Sequence, residues 1–281
     1  MAALRRRQHV PWNAAGDASR RLDDSDDVVR DTGWVFNNEV GGHLTLADFV
    51  RSGEQEVGAY LHHFGIDADE ARRSSLVEVG SGIGRMTAEF TKRFSRVTAC
   101  DLDASFLRQC ERTVAEFGEG DRLVTSHVSD GRSLNLPDAS VDVVFSYITL
   151  QHCNRHDALA LTREAMRVVR PGGLVMLNYR TWIPLDALLF PAGAMVRALW
   201  RIPLLGPTLA RRRWSTRLGW QANRLAPSVV LGHLRDHDDR LVDASLWFRT
   251  PRSGAAEPEV AVRSFHGIDP SHWWLIARRA D

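Results

Sequence analysis

The chain has 281 residues, of which 44% are hydrophobic and 25% are charged, as in an ordinary globular protein with a buried core. Its formal net charge of +1 gives no overall reason to bind a polyanion, so we expect no nucleic acid partner. Cys100, Cys110 and Cys153 lack the spacing of metal ligands. They favour reduced thiols in a cytoplasmic protein without a metal site.

The first part of the chain is polar and is then followed by an amphipathic region. Residues 1–30 contain a basic run with no apolar segment behind it, which predicts a flexible arm rather than a secretion signal. Residues 31–74 predict one or two helices. Ser52 is the expected N-cap of a helix there, because Gln55 follows it at the spacing of a capping box.

Residues 75–180 alternate between short apolar runs of β-branched residues and amphipathic helical segments. The runs SLVEV, SRVTACD, RLVTSHV, SVDVVFSYITL and LVMLNYR predict five strands. Helical periodicity separates most of these runs, and PGG ends the last helix before the fifth strand. Repeated βα units of this length predict a parallel sheet that is covered by helices on both faces.

A glycine-rich turn follows the first of these strands. The stretch LVEVGSGIGRMT places Gly80, Gly82 and Gly84 between a strand and a helix, where free backbone N–H groups can approach a ligand. A dinucleotide-binding turn needs its third glycine five residues after the first. That position is Arg85, so the dinucleotide pattern fails.

The stretch VEVGSGIG resembles instead the first motif of the small-molecule class I S-adenosylmethionine-dependent methyltransferases. The segments VTACDL, VSDGRSLNLPDASVDVVFSYITLQH and EAMRVVRPGGLVMLN continue this resemblance in the family's order. The resemblance implies an α/β fold with a Rossmann-like, doubly wound, seven-stranded sheet. This sheet is mostly parallel, has helices on both faces, and contains HWWLIARR as an antiparallel last strand.

The resemblance also implies S-adenosyl-L-methionine as cofactor and S-adenosyl-L-homocysteine as product, with residues 31–74 covering the cofactor site. The implied cofactor-binding residues are Glu78, Gly80, Ser81, Gly82, Gly84, Asp101, Leu102, Asp130, Gly131, Ser146 and Tyr147. Among these, Glu78 would receive the methionine ammonium and Asp101 the ribose hydroxyls. Asp130 would take the adenine amino group, although Asp130-Gly131 also fits a simple turn. Tyr147 fits a core position as well.

His152 is the candidate catalytic base, because an alcohol acceptor must lose a proton and this histidine ends the run SYITLQH at the catalytic edge. The alternative is that His152 only supports its loop. We expect a small-molecule methyl acceptor, with a hydroxyl on a sugar, polyketide or lipid-linked metabolite favoured. N- or C-methylation and cofactor binding without turnover stay open as alternatives.

Residues 181–226 form an apolar and basic insertion that no family motif covers. It is broken by prolines and is therefore unsuited to cross a membrane. Three interpretations stay open: a lid over the acceptor, a homodimer surface, or a peripheral membrane contact through residues 182–214. Residues 227–281 predict a helix and the last two strands.

Overall fold

The computed structural model of the chain describes residues 20, 24–36, 44–210, 212–219, 223–237, 240–250 and 260–281. Its α-helices are α1 (Ser25–Phe36), α2 (Leu46–Phe64), α3 (Ala68–Arg73), α4 (Thr87–Arg93), α5 (Ala104–Phe117), α6 (Arg155–Val168), α7 (Asp186–Leu199), α8 (Gly206–Ala210), α9 (Arg213–Gly219) and α10 (Pro227–Arg235). Its strands are β1 (Ser75–Val79), β2 (Arg96–Asp101), β3 (Leu123–His127), β4 (Val141–Ser146), β5 (Val169–Arg180), β6 (Leu241–Phe248), β7 (Ala261–Ser264) and β8 (His272–Arg279).

The strands form one sheet in the order β3-β2-β1-β4-β5-β8-β6-β7. Strands β1 to β5 pair in parallel, and β8 lies between β5 and β6, antiparallel to both. The predicted doubly wound sheet and its antiparallel last strand are therefore confirmed. The chain order reverses beside β1 and β4, which is where open α/β sheets bind their ligands.

The predicted number of seven strands is wrong, because the sheet has eight strands among the described residues alone. The additional strand, β7, pairs in parallel with β6 along Ser245–Phe248. Its sequence AVRS is short and mostly exposed, and it carries no apolar alternation. It therefore gave no sequence signal of a strand.

Helices cover both faces of the sheet, as the continuous apolar runs of a parallel sheet require. On one face, Val77 and Val79 of β1 belong to a cluster that includes Leu161 of α6 and Leu231 of α10. On the other face, Leu76 packs in a cluster with aromatic side chains. This second cluster includes Tyr60, Phe64, Phe90, Phe145 and Trp274.

The two long helices before the sheet, α1 and α2, begin at other residues than the sequence predicted. Helix α1 begins at Ser25, inside the stretch predicted as a flexible arm, whereas residues 1–19 and 21–23 lie outside the described residues. Helix α2 is continuous, and its N-cap is Thr45, whose side chain accepts a hydrogen bond from the Asp48 amide. The prediction of Ser52 as N-cap is wrong, because Ser52 lies within α2 and donates its hydroxyl to the Phe49 carbonyl.

The insertion folds as three helices, α7, α8 and α9, which pack around Trp200. The Trp200 indole is buried and donates a hydrogen bond of 2.9 Å to the Ser215 hydroxyl. Gly193 of α7 lies so close to the Leu218 carbonyl that an added Cβ would come within 2.3 Å of its oxygen. In the described part of the chain, no helix is long and apolar enough to cross a membrane.

Candidate active site

A cavity lies at the carboxyl ends of β1, β2 and β4, beside the point where the strand order reverses. Residues from the glycine-rich turn, from the end of β2 and from the segment after β4 meet there. The lining residues are Phe49, Glu78, Val79, Gly80, Ser81, Gly82, Ile83, Arg85, Met86, Cys100, Asp101, Leu102, Phe106, Val128, Gly131, Tyr147, Ile148, Thr149, His152, Cys153 and Leu161.

The turn after β1 needs glycine for its backbone conformation. Gly80 has φ of 84° and Gly82 has φ of 56°, both in the left-handed region. A Cβ on Gly80 would also lie 2.1 Å from the Thr149 hydroxyl oxygen, so this turn and the segment after β4 are in close contact. Ser81, between the two glycines, is buried, and its hydroxyl has no hydrogen-bond partner among the described residues. The turn thus presents a polar group to the cavity.

Gly84 has a different position from the other two glycines of the motif. It does not belong to the cavity lining that the structure describes. A Cβ at Gly84 would lie 3.1 Å from the Cα of Cys110, and φ there is 94°. The lack of a side chain at Gly84 allows the turn to pack closely against α5, and its role toward the cofactor stays a prediction.

The carboxylate of Asp101 connects the end of β2 to the glycine-rich turn. One of its oxygens accepts a hydrogen bond of 2.9 Å from the Gly82 amide, and the other accepts one of 3.0 Å from the Asp103 amide. Burial raises the pKa of Asp101 to about 6, although both backbone hydrogen bonds oppose this shift. The Asp101 carboxylate is therefore held in a fixed orientation at the cavity and is mainly ionised at neutral pH.

Glu78 is buried in β1 and lies beside the same cavity. The Thr87 hydroxyl donates a hydrogen bond of 2.6 Å to one of its carboxylate oxygens. Burial raises the pKa of Glu78 to about 8, against the opposing effects of Thr87 and of the charge on Arg85. A buried carboxyl group with such a raised pKa is suited to receive a cation, because a cation stabilises its charged form.

The structure places two other predicted residues outside the cavity lining. The carboxylate of Asp130 is exposed and accepts hydrogen bonds from the Arg132 and Ser133 amides, at 2.8 and 2.9 Å. This is the turn geometry that the sequence left open, and the role of Asp130 toward adenine stays a prediction. The buried hydroxyl of Ser146 donates a hydrogen bond of 3.1 Å to the Val79 carbonyl, and its role toward the cofactor likewise stays a prediction. Leu102 and Gly131 do line the cavity.

Tyr147 and His152 both reach the cavity from the segment after β4. The Tyr147 ring is stacked on Trp274, with centroids 5.4 Å apart, and burial raises its pKa to about 12. The Tyr147 side chain therefore lines the cavity in its neutral, protonated form. His152 ends a short 3-10 turn, Leu150–His152, and its Nε2 atom lies 3.3 Å from Nε2 of the Gln151 side chain.

Sequence reasoning missed two residues that shape the cavity. Arg85 follows the glycine-rich turn, is mostly buried, and pairs with Glu56 of α2 at 2.8 Å. Its guanidinium also lies 5.9 Å from the centre of the Phe49 ring. Arg85 could have been suspected, since it occupies the position where a dinucleotide-binding turn would have glycine. Phe49 had no local signal, because only the tertiary packing of α2 brings it to the site.

The doubly wound sheet with one antiparallel inserted strand, the glycine-rich turn and the two carboxyl groups at its edge define a class I S-adenosylmethionine-dependent methyltransferase domain. Residues 77–177 match a family model described as a methyltransferase domain. Over these residues the chain therefore contains a methyltransferase domain, and the donor used by this class is S-adenosylmethionine.

Curated relatives agree with this assignment over part of their length. The chain is 29% identical over 147 residues to malonyl-[acyl-carrier protein] O-methyltransferase of Serratia marcescens, across 51% of this chain and 50% of that protein. It is 28% identical over 104 residues to phosphoethanolamine N-methyltransferase 1 of Triticum aestivum, across 37% of this chain and 21% of that protein. The chain thus spans half or less of the length of these two relatives.

Solved structures share the fold at low sequence identity. Magnesium protoporphyrin IX methyltransferase from Synechocystis, with bound S-adenosylhomocysteine, is 13% identical with a TM-score of 0.53, and the match covers 91% of this chain and 98% of that one. An S-adenosylmethionine-dependent methyltransferase from Methanosarcina mazei is 14% identical with a TM-score of 0.52, and the match covers 79% and 97%. At these identities the likeness supports the fold alone.

Proposed function

We propose that this protein transfers a methyl group from S-adenosylmethionine to a hydroxyl of a small-molecule acceptor. The observation that carries the proposal is the joint position of Glu78, Asp101, Tyr147 and His152 around one cavity at the edge of the sheet. A sugar, a polyketide and a lipid-linked metabolite all provide such a hydroxyl.

Three features of the cavity fit the cofactor. The left-handed glycines leave the backbone of the turn accessible, and the buried Ser81 hydroxyl lacks a partner among the described residues. Asp101 is oriented by two amides, and each of its oxygens has a further lone pair to accept from a ribose hydroxyl. Glu78 provides a carboxylate for the methionine ammonium. Bound S-adenosylmethionine supplies an electrophilic methyl group on its sulfonium sulfur.

His152 is the residue that favours an oxygen acceptor. A hydroxyl oxygen is a weak nucleophile unless a base removes its proton as it attacks, whereas the unprotonated nitrogen of an amine is nucleophilic without such help. Two lining residues, Glu78 and Asp101, are committed to the cofactor in this proposal, and the raised pKa of Tyr147 makes it a poor base. His152 therefore takes the acceptor proton, and its neighbours orient the acceptor and exclude water.

The test is a methyl transfer assay with radiolabelled S-adenosylmethionine and a panel of sugars, polyketide phenols and lipid-linked alcohols, with primary amines run in parallel. We expect the label to appear in a hydroxyl compound as a methyl ether, which hydriodic acid cleaves to labelled methyl iodide and which is stable to mild base. Labelling of amines alone would contradict the oxygen assignment. S-adenosylhomocysteine binding without turnover on any acceptor of the panel would favour a protein that holds the cofactor without catalysis.

The raised pKa of Glu78 predicts that cofactor binding releases a proton. At pH 7.5 the carboxyl group is partly protonated in the free protein, since its pKa is about 8, and a bound ammonium lowers that pKa. We expect S-adenosylhomocysteine to bind more tightly as the pH rises from 6.5 to 8 and to level off above that range. Calorimetric titrations in buffers with different ionisation enthalpies measure the released proton directly.

Two variants test whether Glu78, rather than another titrating group, releases the proton when S-adenosylhomocysteine binds. Glu78→Gln removes the titrating group, so the proton release near pH 8 is lost and the affinity no longer rises with pH. Glu111→Gln is the matched control, because Glu111 is exposed and bonds to the Thr125 hydroxyl away from the cavity. Proton release that persists unchanged in Glu78→Gln would assign it to another residue.

A further inference from the structure

The insertion turns an apolar surface outward. Of the ten large hydrophobic side chains that are exposed in the described part of the chain, eight lie between residues 182 and 214. They are Trp182, Leu185, Leu188, Met195, Ile202, Leu204, Leu205 and Trp214. Scattered apolar residues are normal on a protein surface, but a concentration of them in one segment marks a contact with a partner or a membrane.

Helix α7 shows the pattern most clearly. Its exposed residues are Ala187, Leu188, Pro191, Ala194, Met195 and Ala198, all of them apolar. The opposite side contains Asp186 and Val196, which are buried. An ordinary surface helix exposes its polar residues to water and buries its apolar residues, which is the opposite of what α7 shows. The segment 201–205, RIPLL, continues the exposed apolar surface, with Leu204 92% exposed.

The charges of the insertion are almost all positive. Between residues 181 and 226 the sequence has seven arginines and a single acidic residue, Asp186, whereas the whole chain has a net charge of only +1. Asp186 is buried and pairs with Arg224 at 2.6 Å, so it does not offset the positive charge at the surface. Arg201 and Arg212 are both exposed beside the apolar residues.

We propose that this surface, formed by residues 182–214, docks on an anionic lipid bilayer. An apolar face flanked by arginines matches the acyl chains and the negative headgroups of such a bilayer. The exposed Trp182 and Trp214 are suited to the interface between the two. The contact is peripheral, since α7 has only 14 residues and α8 and α9 are shorter.

The insertion is attached to the catalytic edge, which makes this docking relevant to the site. The Asn223 side chain, where the insertion returns to the sheet, donates hydrogen bonds of 2.7 Å to the carbonyls of Leu150 and Cys153. These carbonyls flank His152. The bilayer-binding element and the turn with the candidate base therefore belong to one connected part of the structure.

Co-sedimentation with vesicles tests the proposal. We expect the full chain to bind vesicles of equal parts phosphatidylglycerol and phosphatidylcholine, at least about tenfold more tightly than vesicles of phosphatidylcholine alone, and less tightly as salt increases. The double variant Leu188→Glu/Leu204→Glu should lose at least about tenfold in binding, because both side chains are highly exposed and lie on the docking surface. Val242→Glu, an exposed apolar position on β6, should bind like the unmodified chain.

Quenching of tryptophan fluorescence by brominated lipid in the same vesicles provides a second measurement that needs no charged substitution. We expect quenching in the unmodified chain and less of it in Trp214→Phe. Absence of vesicle binding, or equal binding by the double variant, would overturn the proposal. A dimer in light scattering that Leu188→Glu/Leu204→Glu dissociates, without vesicle binding, would assign the surface to a second copy of the chain.

Discussion

Asp101→Ala should weaken S-adenosylhomocysteine binding by more than about tenfold, which corresponds to about 1.4 kcal/mol. The physical reason is the loss of charge-assisted hydrogen bonds, each worth about 1.5–3 kcal/mol, to the ribose. The substitution also removes the acceptor of the Gly82 and Asp103 amides, so the glycine-rich turn becomes less ordered and the affinity falls further. Isothermal titration calorimetry on the purified variant measures the change.

Two further variants make the Asp101 result specific. Asp101→Asn keeps one acceptor oxygen but removes the charge, so we expect an affinity between those of Asp101→Ala and the unmodified chain. Glu111→Ala is the matched control, since Glu111 is exposed and accepts a hydrogen bond from the Thr125 hydroxyl away from the cavity. It should leave the affinity within about twofold of the original. A folded Asp101→Ala protein with unchanged affinity would remove Asp101 from the cofactor site.

His152→Gln should slow methyl transfer to a hydroxyl acceptor by about 10²-fold while S-adenosylhomocysteine binding stays intact. Glutamine retains a polar side chain of similar size but cannot accept the proton of the acceptor. The measurement is the pH dependence of kcat and kcat/KM. We expect kcat at saturating S-adenosylmethionine to fall at acidic pH in the unmodified enzyme as the base is protonated, and this limb of kcat should disappear in the variant. The pH dependence that Glu78 and Asp101 give to cofactor binding remains in kcat/KM.

His156→Gln is the control for the His152 experiment. His156 is 74% exposed at the beginning of α6, only four residues further along the chain, and it does not belong to the cavity lining that the structure describes. Its substitution should leave both the rate and its pH dependence unchanged. A near-normal rate in His152→Gln would instead give His152 the role of supporting its loop.

The sequence predicted the sheet well, because its signals are local. Apolar strands such as SLVEV and the glycines at Gly80 and Gly82 are readable without tertiary structure. The strand β7 was missed because an exposed strand at the sheet margin needs no apolar pattern. Ser52 was misjudged for a related reason: a hydroxyl three residues before a polar side chain resembles a cap, but Thr45 begins the helix earlier.

The residues predicted for the site differ in where the structure places them. Asp101 and Glu78 follow the family pattern and reach the cavity, whereas Asp130, Ser146 and Gly84 make contacts elsewhere. A carboxylate next to glycine is equally suited to a turn and to a ligand, and only the packed structure decides between them. The pairing of Arg85 with Glu56 depends on the docking of α2, because Glu56 lies 29 residues away in sequence.

The central claim is that the cavity at the edge of β1 and β2 holds S-adenosylmethionine. Calorimetric titration of the purified protein with S-adenosylhomocysteine tests this claim most directly, with NAD titrated in parallel. We predict micromolar binding of S-adenosylhomocysteine and no binding of NAD, because the glycine-rich turn has Arg85 where a dinucleotide site has glycine. Binding of NAD in preference to S-adenosylhomocysteine, or of neither compound, would contradict the account of the site.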